Sequence, residues 1–122
     1  MKQKLIFTNM VGEAIDSLVA DLGSPQVVVV TDTNTEKFVY PLLVNDSKAV
    51  ASARLITIKA GDDNKTLDEL RGVWSRLAEA EASRKTVVVN LGGGMVSDLG
   101  GFAAATFKRG MRYINVPTTV LG

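Results

Sequence analysis

Apolar positions along this chain follow two alternating spacings, one helical and one extended. Val11, Ile15, Leu18, Val19 and Leu22 recur at helical intervals and predict a helix that buries one face and ends at Ser24-Pro25. Before it, "KLIFT" (4–8) reads as a first strand. "QVVVVT" (26–31) is a continuous β-branched run, the pattern of a parallel strand covered on both faces. Residues 35–46 read as a second helix and "RLITIK" (54–59) as a third strand. After the loop "AGDDNK", a helix carries Leu67, Leu70, Val73, Trp74 and Leu77 on one stripe, with Thr66 and Glu69 at capping-box spacing. "TVVVN" (86–90) predicts a fourth strand, the glycine-rich stretch after it a helix running to about Phe107, and "RYINV" (112–116) a fifth strand. The order βαβαβαβαβ predicts a single α/β domain with an open, mostly parallel sheet and helices on both faces.

Composition narrows what such a domain can do. The 122 residues are 46% hydrophobic and 22% charged, enough for one core. Fourteen Lys+Arg against thirteen Asp+Glu leave a formal charge of +1 without a basic block, so nucleic acid is not an expected partner. The sequence has no cysteine, which fits a reducing compartment, and no histidine, which removes the commonest metal ligand and the usual general base. The N-terminal apolar stretch is too short for a signal peptide, and no run approaches the ~18 residues of a membrane span. A cytoplasmic location without membrane contact is the expectation.

In open parallel sheets ligands bind beyond the carboxyl ends of the strands. Those ends carry "TDTN", "AGDDNK", "GGGMVSD" and "PTTVLG", each polar or glycine-rich after an apolar run. Gly92-Gly93-Gly94 before a helix offers backbone N–H groups without a Cβ in the way, together with the positive end of a helix dipole, which suits a pyrophosphate. The stretch departs from G-x-G-x-x-G, since Ser97 replaces the third glycine and Asp32 precedes the glycines, and no Walker lysine follows. A plain alternative is a tight βα turn with a small-residue helix lying close to the sheet. Asp32 and Asn34 equally suit a turn or helix start. Lys65 suits a solvated side chain, and Asp98, placed in the first helical turn, suits the dipole. Lys108 and Arg109 suit a helix C-terminus, with Gly110 as its cap.

The stretch "LGGGMVSDLGGFAAATFKRGMRYINVPTTVLG" closely resembles the 3-dehydroquinate synthase family: a glycine triplet, an apolar pair, a small residue, Asp, a small-residue helix, Arg-Gly, then Val-Pro-Thr-Thr. Upstream, "TDTN" and "AGDDNKT" fall where that family carries Asp-x-Asn and Gly-Glu-x-x-Lys-Thr. The resemblance implies a Rossmann-like domain that binds NAD. It matches Asp32 and Asn34 to residues holding the adenosine end, and Lys65 to the family's cofactor lysine. Asp62 stands for the family glutamate, one methylene shorter. Gly93, Gly94 and Met95 match the backbone lining the pyrophosphate and ribose, with Met95 replacing the usual valine. Asp98 matches an aspartate beside the nicotinamide half, and Thr118, Thr119 and Leu121 match further cofactor contacts. Arg109 matches an arginine that reaches from one subunit of a homodimer towards the substrate phosphate of the other.

The implied reaction cyclises 3-deoxy-D-arabino-heptulosonate 7-phosphate, a sugar acid phosphate of the shikimate pathway, to 3-dehydroquinate with release of phosphate. NAD carries the hydride transiently and is regenerated, and a divalent metal, zinc or cobalt, polarises substrate oxygens. In the family a glutamate and two histidines hold that metal, in a helical domain following this one. On the resemblance, residues 1–122 correspond to the dinucleotide-binding domain, incomplete at its C-terminal end. The metal site and a complete catalytic set are expected outside them, leaving the chain alone inactive. A related sugar phosphate cyclase, a metal-dependent polyol dehydrogenase and a non-catalytic NAD-binding module are the alternatives.

Overall fold

The computed structural model describes residues 2–59 and 67–118. In chain order they form α1 (Lys2–Asp21), β1 (Val27–Asp32), α2 (Thr33–Phe38), α3 (Tyr40–Asp46), α4 (Lys48–Ala51), β2 (Arg54–Ile58), α5 (Leu67–Glu79), β3 (Val87–Gly92), α6 (Gly94–Thr106), a 3-10 turn (Phe107–Arg109) and β4 (Arg112–Pro117). The four strands make one parallel sheet in the order β2-β1-β3-β4. β1 and β3 lie in the middle, and the valine runs that define them are buried along nearly their whole length. Such runs need cover on both faces, and the connections supply it.

Alternate residues of the central strands divide the interior in two. Val28, Val30 and Val88, with Ile56 and Ile58 of β2, pack against Leu70, Val73 and Leu77 of α5 and Val96, Ala103 and Ala104 of α6. Val27, Val29, Val87, Val89 and Leu91 face the other way, onto Ile15 and Val19 of α1, Leu43 of α3 and Val50 of α4. Trp74 of α5 reaches across to α6, where its indole N–H donates to Thr106 Oγ1 (3.1 Å).

The segment "KLIFT", expected as a strand, is instead the first part of α1, so four of the five expected strands stand among the described residues. The stripe Val11–Ile15–Val19 extends backwards at helical spacing to Phe7 and Thr8. Thr8 is fully buried, and its hydroxyl makes contacts with the Leu5 carbonyl (3.2 Å) and Asp46 Oδ2 (2.7 Å). Leu5 and Ile6, 47% and 52% exposed, face outward. A helix satisfies its own backbone, whereas a strand needs a neighbour, and none pairs with this segment among the described residues.

The helix expected over 35–46 is two helices. The break falls at Val39, which closes α2 by donating to the Thr35 carbonyl and leads into α3 with Pro41 in its first turn. Proline lacks the N–H that would bond back into α2, but is tolerated at a helix start. The capping pair expected of Thr66 and Glu69 involves Thr66, outside the described residues. Gly110 caps the turn after α6 with φ +101°, as its position suggested.

Candidate functional site

After β1 the chain passes over one face of the sheet to reach β2, and after β3 it passes over the opposite face, as α6, to reach β4. The carboxyl ends of β1 and β3 are adjacent while their connections diverge, which opens a crevice of the kind that receives ligands in α/β sheets. Thr31 and Leu91 are register partners, so Asp32 and Gly92 follow side by side. Gly92 also pairs with Pro117, and the Thr118 N–H donates to the Gly92 carbonyl (3.2 Å). Asp32, the glycine triplet and Thr118 therefore lie at one edge.

Asp32 is half-buried and caps α2: one carboxylate oxygen, Oδ1, accepts the Thr35 N–H at 2.7 Å. Its turn-forming and ligand-binding readings are compatible, because Oδ2 has no partner among the described residues. Asn34, two residues on, is exposed in the first turn of α2.

The three glycines differ in what demands them. A Cβ on Gly92 would lie 2.7 Å from Val96 Cγ2, so the chain's own turn requires that glycine. Gly93 is the N-cap of α6, extended at φ −84° and ψ −164°, and offers no side-chain oxygen to the first helical N–H groups. The Ser97 N–H begins the helical ladder by donating to the Gly93 carbonyl, which leaves the N–H groups of Gly94, Met95 and Val96 ahead of it. A Cβ on Gly94 would meet nothing within 4 Å. Internal packing does not explain Gly94, and a methyl there would project into open space.

Met95 is half-buried and packs its side chain against the core that α5 and α6 cover. Asp98 is exposed and stands in the second turn of α6, not the first, which removes the reading of it as a first-turn dipole partner. Asp62, Lys65, Thr119 and Leu121 lie outside the described residues.

Arg109 is not brought to this edge. It sits at the far end of α6 in the 3-10 turn that precedes β4, beside the amino ends of the strands. Thirteen helical residues separate the two ends of α6, about 20 Å. Arg109 and Lys108 are exposed and both left-handed, with φ +72° and +45°.

Two further residues escaped the sequence reading. Asn90 of β3 is fully buried, and its Nδ2 donates to Asn115 Oδ1 of β4 at 3.0 Å. A single amide in the run "TVVVN" is itself a signal, because buried polar side chains need partners.

Among the described residues, no group of three or more His, Cys, Asp or Glu could hold a metal ion, and no helix is long and apolar enough to cross a membrane. Two cavities of about 520 and 590 Å³ open by the amino ends of the strands, away from this crevice.

A family model described as 3-dehydroquinate synthase N-terminal matches residues 55–122. A 3-dehydroquinate synthase from Parabacteroides distasonis is 40% identical over 120 residues, which is 98% of this chain and 34% of that protein. Among solved structures, a 2-deoxy-scyllo-inosose synthase superposes with a TM-score of 0.79 at 26% identity, over 91% of this chain and 31% of that one. ValA, a 2-epi-5-epi-valiolone synthase from Streptomyces hygroscopicus with NAD+ and Zn2+ bound, shares the fold with a TM-score of 0.69 at 22% identity, over 81% of this chain and 28% of that one. The chain spans about a third of the length of the curated relatives it matches.

Proposed function

This chain belongs to the 3-dehydroquinate synthase N-terminal family, and on that premise we propose that it forms the NAD-binding part of a 3-dehydroquinate synthase. The complete enzyme would cyclise 3-deoxy-D-arabino-heptulosonate 7-phosphate to 3-dehydroquinate and release phosphate. The observation that carries the proposal is the pairing, at one crevice, of a carboxylate with an uncommitted oxygen (Asp32) and a helix start without side-chain caps (Gly93, Gly94). A dinucleotide matches both halves: ribose hydroxyls donate to a carboxylate, and a pyrophosphate accepts from backbone N–H groups at the positive end of a helix.

In this reading Asp32 and Asn34 orient the adenosine end, and the N–H groups of Gly94 and Met95 take the pyrophosphate. Asp98 and Thr118 border the nicotinamide half, while Asp62, Lys65, Thr119 and Leu121 complete the cofactor set. NAD, when bound, supplies a reversible hydride acceptor. The chain's residues hold it in place and keep its nicotinamide face towards the substrate. The described residues do not fit a divalent metal, so zinc or cobalt is assigned to another part of the complete protein. Arg109, remote from its own crevice, serves the substrate phosphate of a second copy in a homodimer. Its planar guanidinium can bind two phosphate oxygens at once, which Lys108 cannot.

The superposition on 2-deoxy-scyllo-inosose synthase favours a second reading, another sugar phosphate cyclase. The 40% identity to a 3-dehydroquinate synthase, against 26% for that neighbour, supports the first. The test supplies the complete gene product with NAD, divalent metal and either the seven-carbon sugar acid phosphate or sugar phosphates lacking the carboxylate. Phosphate release and 3-dehydroquinate from the former are expected. Turnover of the latter alone would assign the second reading.

A further inference from the structure

Asn90 is the one fully buried side chain among the described residues with an unpartnered polar atom, its Oδ1. It stands in a strand otherwise built of valine, two residues before Gly92. Its side chain touches two of the other segments that border the crevice. Through Nδ2 it donates to Asn115, its register partner on β4, two residues before Pro117 and three before Thr118. Through Oδ1 it faces Gly100, six residues into the helix that Gly94 begins, so closely that a Cβ there would collide with it. The glycine hydrogen in that place points at Oδ1, a weak C–H···O contact. This contact also fixes the amide's orientation, because the oxygen faces α6 and the nitrogen must face Asn115.

A valine at this position would fill a parallel strand without an unpaired acceptor, so packing alone gives no reason for the amide. We propose that Asn90 is a positioning residue for the dinucleotide: its side chain fixes α6 and β4 relative to β3, and thereby the N–H groups after Gly93 relative to Thr118. The inference rests on the reading of the crevice as the NAD site. Glycine at 100 is then part of the same device, because only a residue without Cβ lets α6 settle onto the amide.

The test measures NAD affinity by calorimetry and thermal stability by Tm on the complete gene product, at about 0.5 M salt so that charge on an exposed residue is screened. Asn115→Leu removes the acceptor of the bridge at an exposed position, and Asn115→Asp keeps it. The double variant Asn90→Ala/Gly100→Ala removes the amide and fills the space it leaves, which keeps the question answerable if either single variant folds poorly. The double variant is expected to melt near the wild type and Asn115→Leu a few degrees lower, because it strands the buried Nδ2, and both to bind NAD about tenfold more weakly, the scale of one lost hydrogen bond. Asn115→Asp, which keeps both the shape and the acceptor oxygen, should bind as the wild type does. Wild-type affinity in Asn115→Leu or in the double variant, or weak binding by Asn115→Asp, overturns the proposal while leaving the NAD site standing. A wild-type protein that binds no NAD overturns both.

Discussion

Asp16 of α1 caps a helix that begins 32 residues later: its Oδ1 accepts the Ser47 hydroxyl at 2.7 Å and the Ala49 N–H at 3.0 Å, and its Oδ2 the Lys48 N–H at 3.0 Å. Burial pushes this carboxyl up, but the Ala49 N–H, the Ser47 hydroxyl, the Lys48 N–H and the Lys48 charge together hold it below the usual carboxylate range. A folded-state pKa lower than the unfolded one contributes stability above the unfolded value and loses it as pH falls through the folded one. Asp16→Ala is therefore expected to lower unfolding free energy by about 1 kcal/mol at pH 7, the order of a lost helix cap. That difference from wild type should shrink below pH ~4. Urea unfolding of both proteins across that range checks it.

Gly94 and Gly100 separate folding from binding. Gly100→Ala places a methyl on the Asn90 amide and should destabilise by about 1–3 kcal/mol, the usual cost of overpacking. Gly94→Ala meets no protein atom, so Tm should hold or rise slightly while NAD binding falls. Thermal melts with and without NAD test the contrast. A Gly94→Ala protein with full NAD affinity would remove the pyrophosphate from this turn.

Asp32 has two duties that one substitution can divide. Asp32→Ser keeps a side-chain oxygen for the Thr35 N–H and loses the second carboxylate oxygen. Near-wild-type stability with at least about tenfold weaker NAD binding is expected, since each 1.4 kcal/mol is tenfold in affinity. Asp32→Ala should lose both, with about 1 kcal/mol of stability gone as well. Equal NAD affinity in Asp32→Ser and wild type would assign Asp32 to capping alone.

At Arg109 the backbone and the proposed chemistry oppose each other. A left-handed φ costs a non-glycine residue roughly 1–2 kcal/mol, so Arg109→Gly should raise stability while lowering kcat/KM for the phosphorylated substrate about a hundredfold or more. NAD affinity should not change. Heterodimers of Arg109→Gly subunits with subunits lacking a metal ligand should recover one working site if the arginine acts on its partner's substrate. No recovery in confirmed heterodimers would exclude that role.

The sheet was legible where residue type decides structure. Valine and isoleucine runs marked all four strands to within about two residues, and the Leu70–Val73–Leu77 stripe marked α5. The first part of α1 reads as a strand because "LIFT" is largely β-branched and aromatic, whereas a distant contact, Thr8 on Asp46, accompanies the helix. The short helix α4 depends on Ser47 and on Asp16, far apart in the chain. At the site, the glycine triplet and Asp32 were visible because their chemistry is local. Asn90, Asn115 and Gly100 were not grouped, because only the register of β3 with β4 and the seating of α6 unite them.

Central strands that carry valine on both faces contain almost no information about their own alignment. A shift of β1 or β3 by one residue exchanges the two cores' side chains, valine for valine, and burial hardly distinguishes the outcomes. Two polar pairs between neighbouring strands make them distinct: buried Thr31 meets Thr57 at 3.3 Å, and buried Asn90 meets Asn115 at 3.0 Å. After a slip Thr31 and Asn90 would be stranded against hydrocarbon. Cohesion and addressing thus belong to different residues in this fold, the valines holding the sheet together and two polar pairs recording which rung belongs to which.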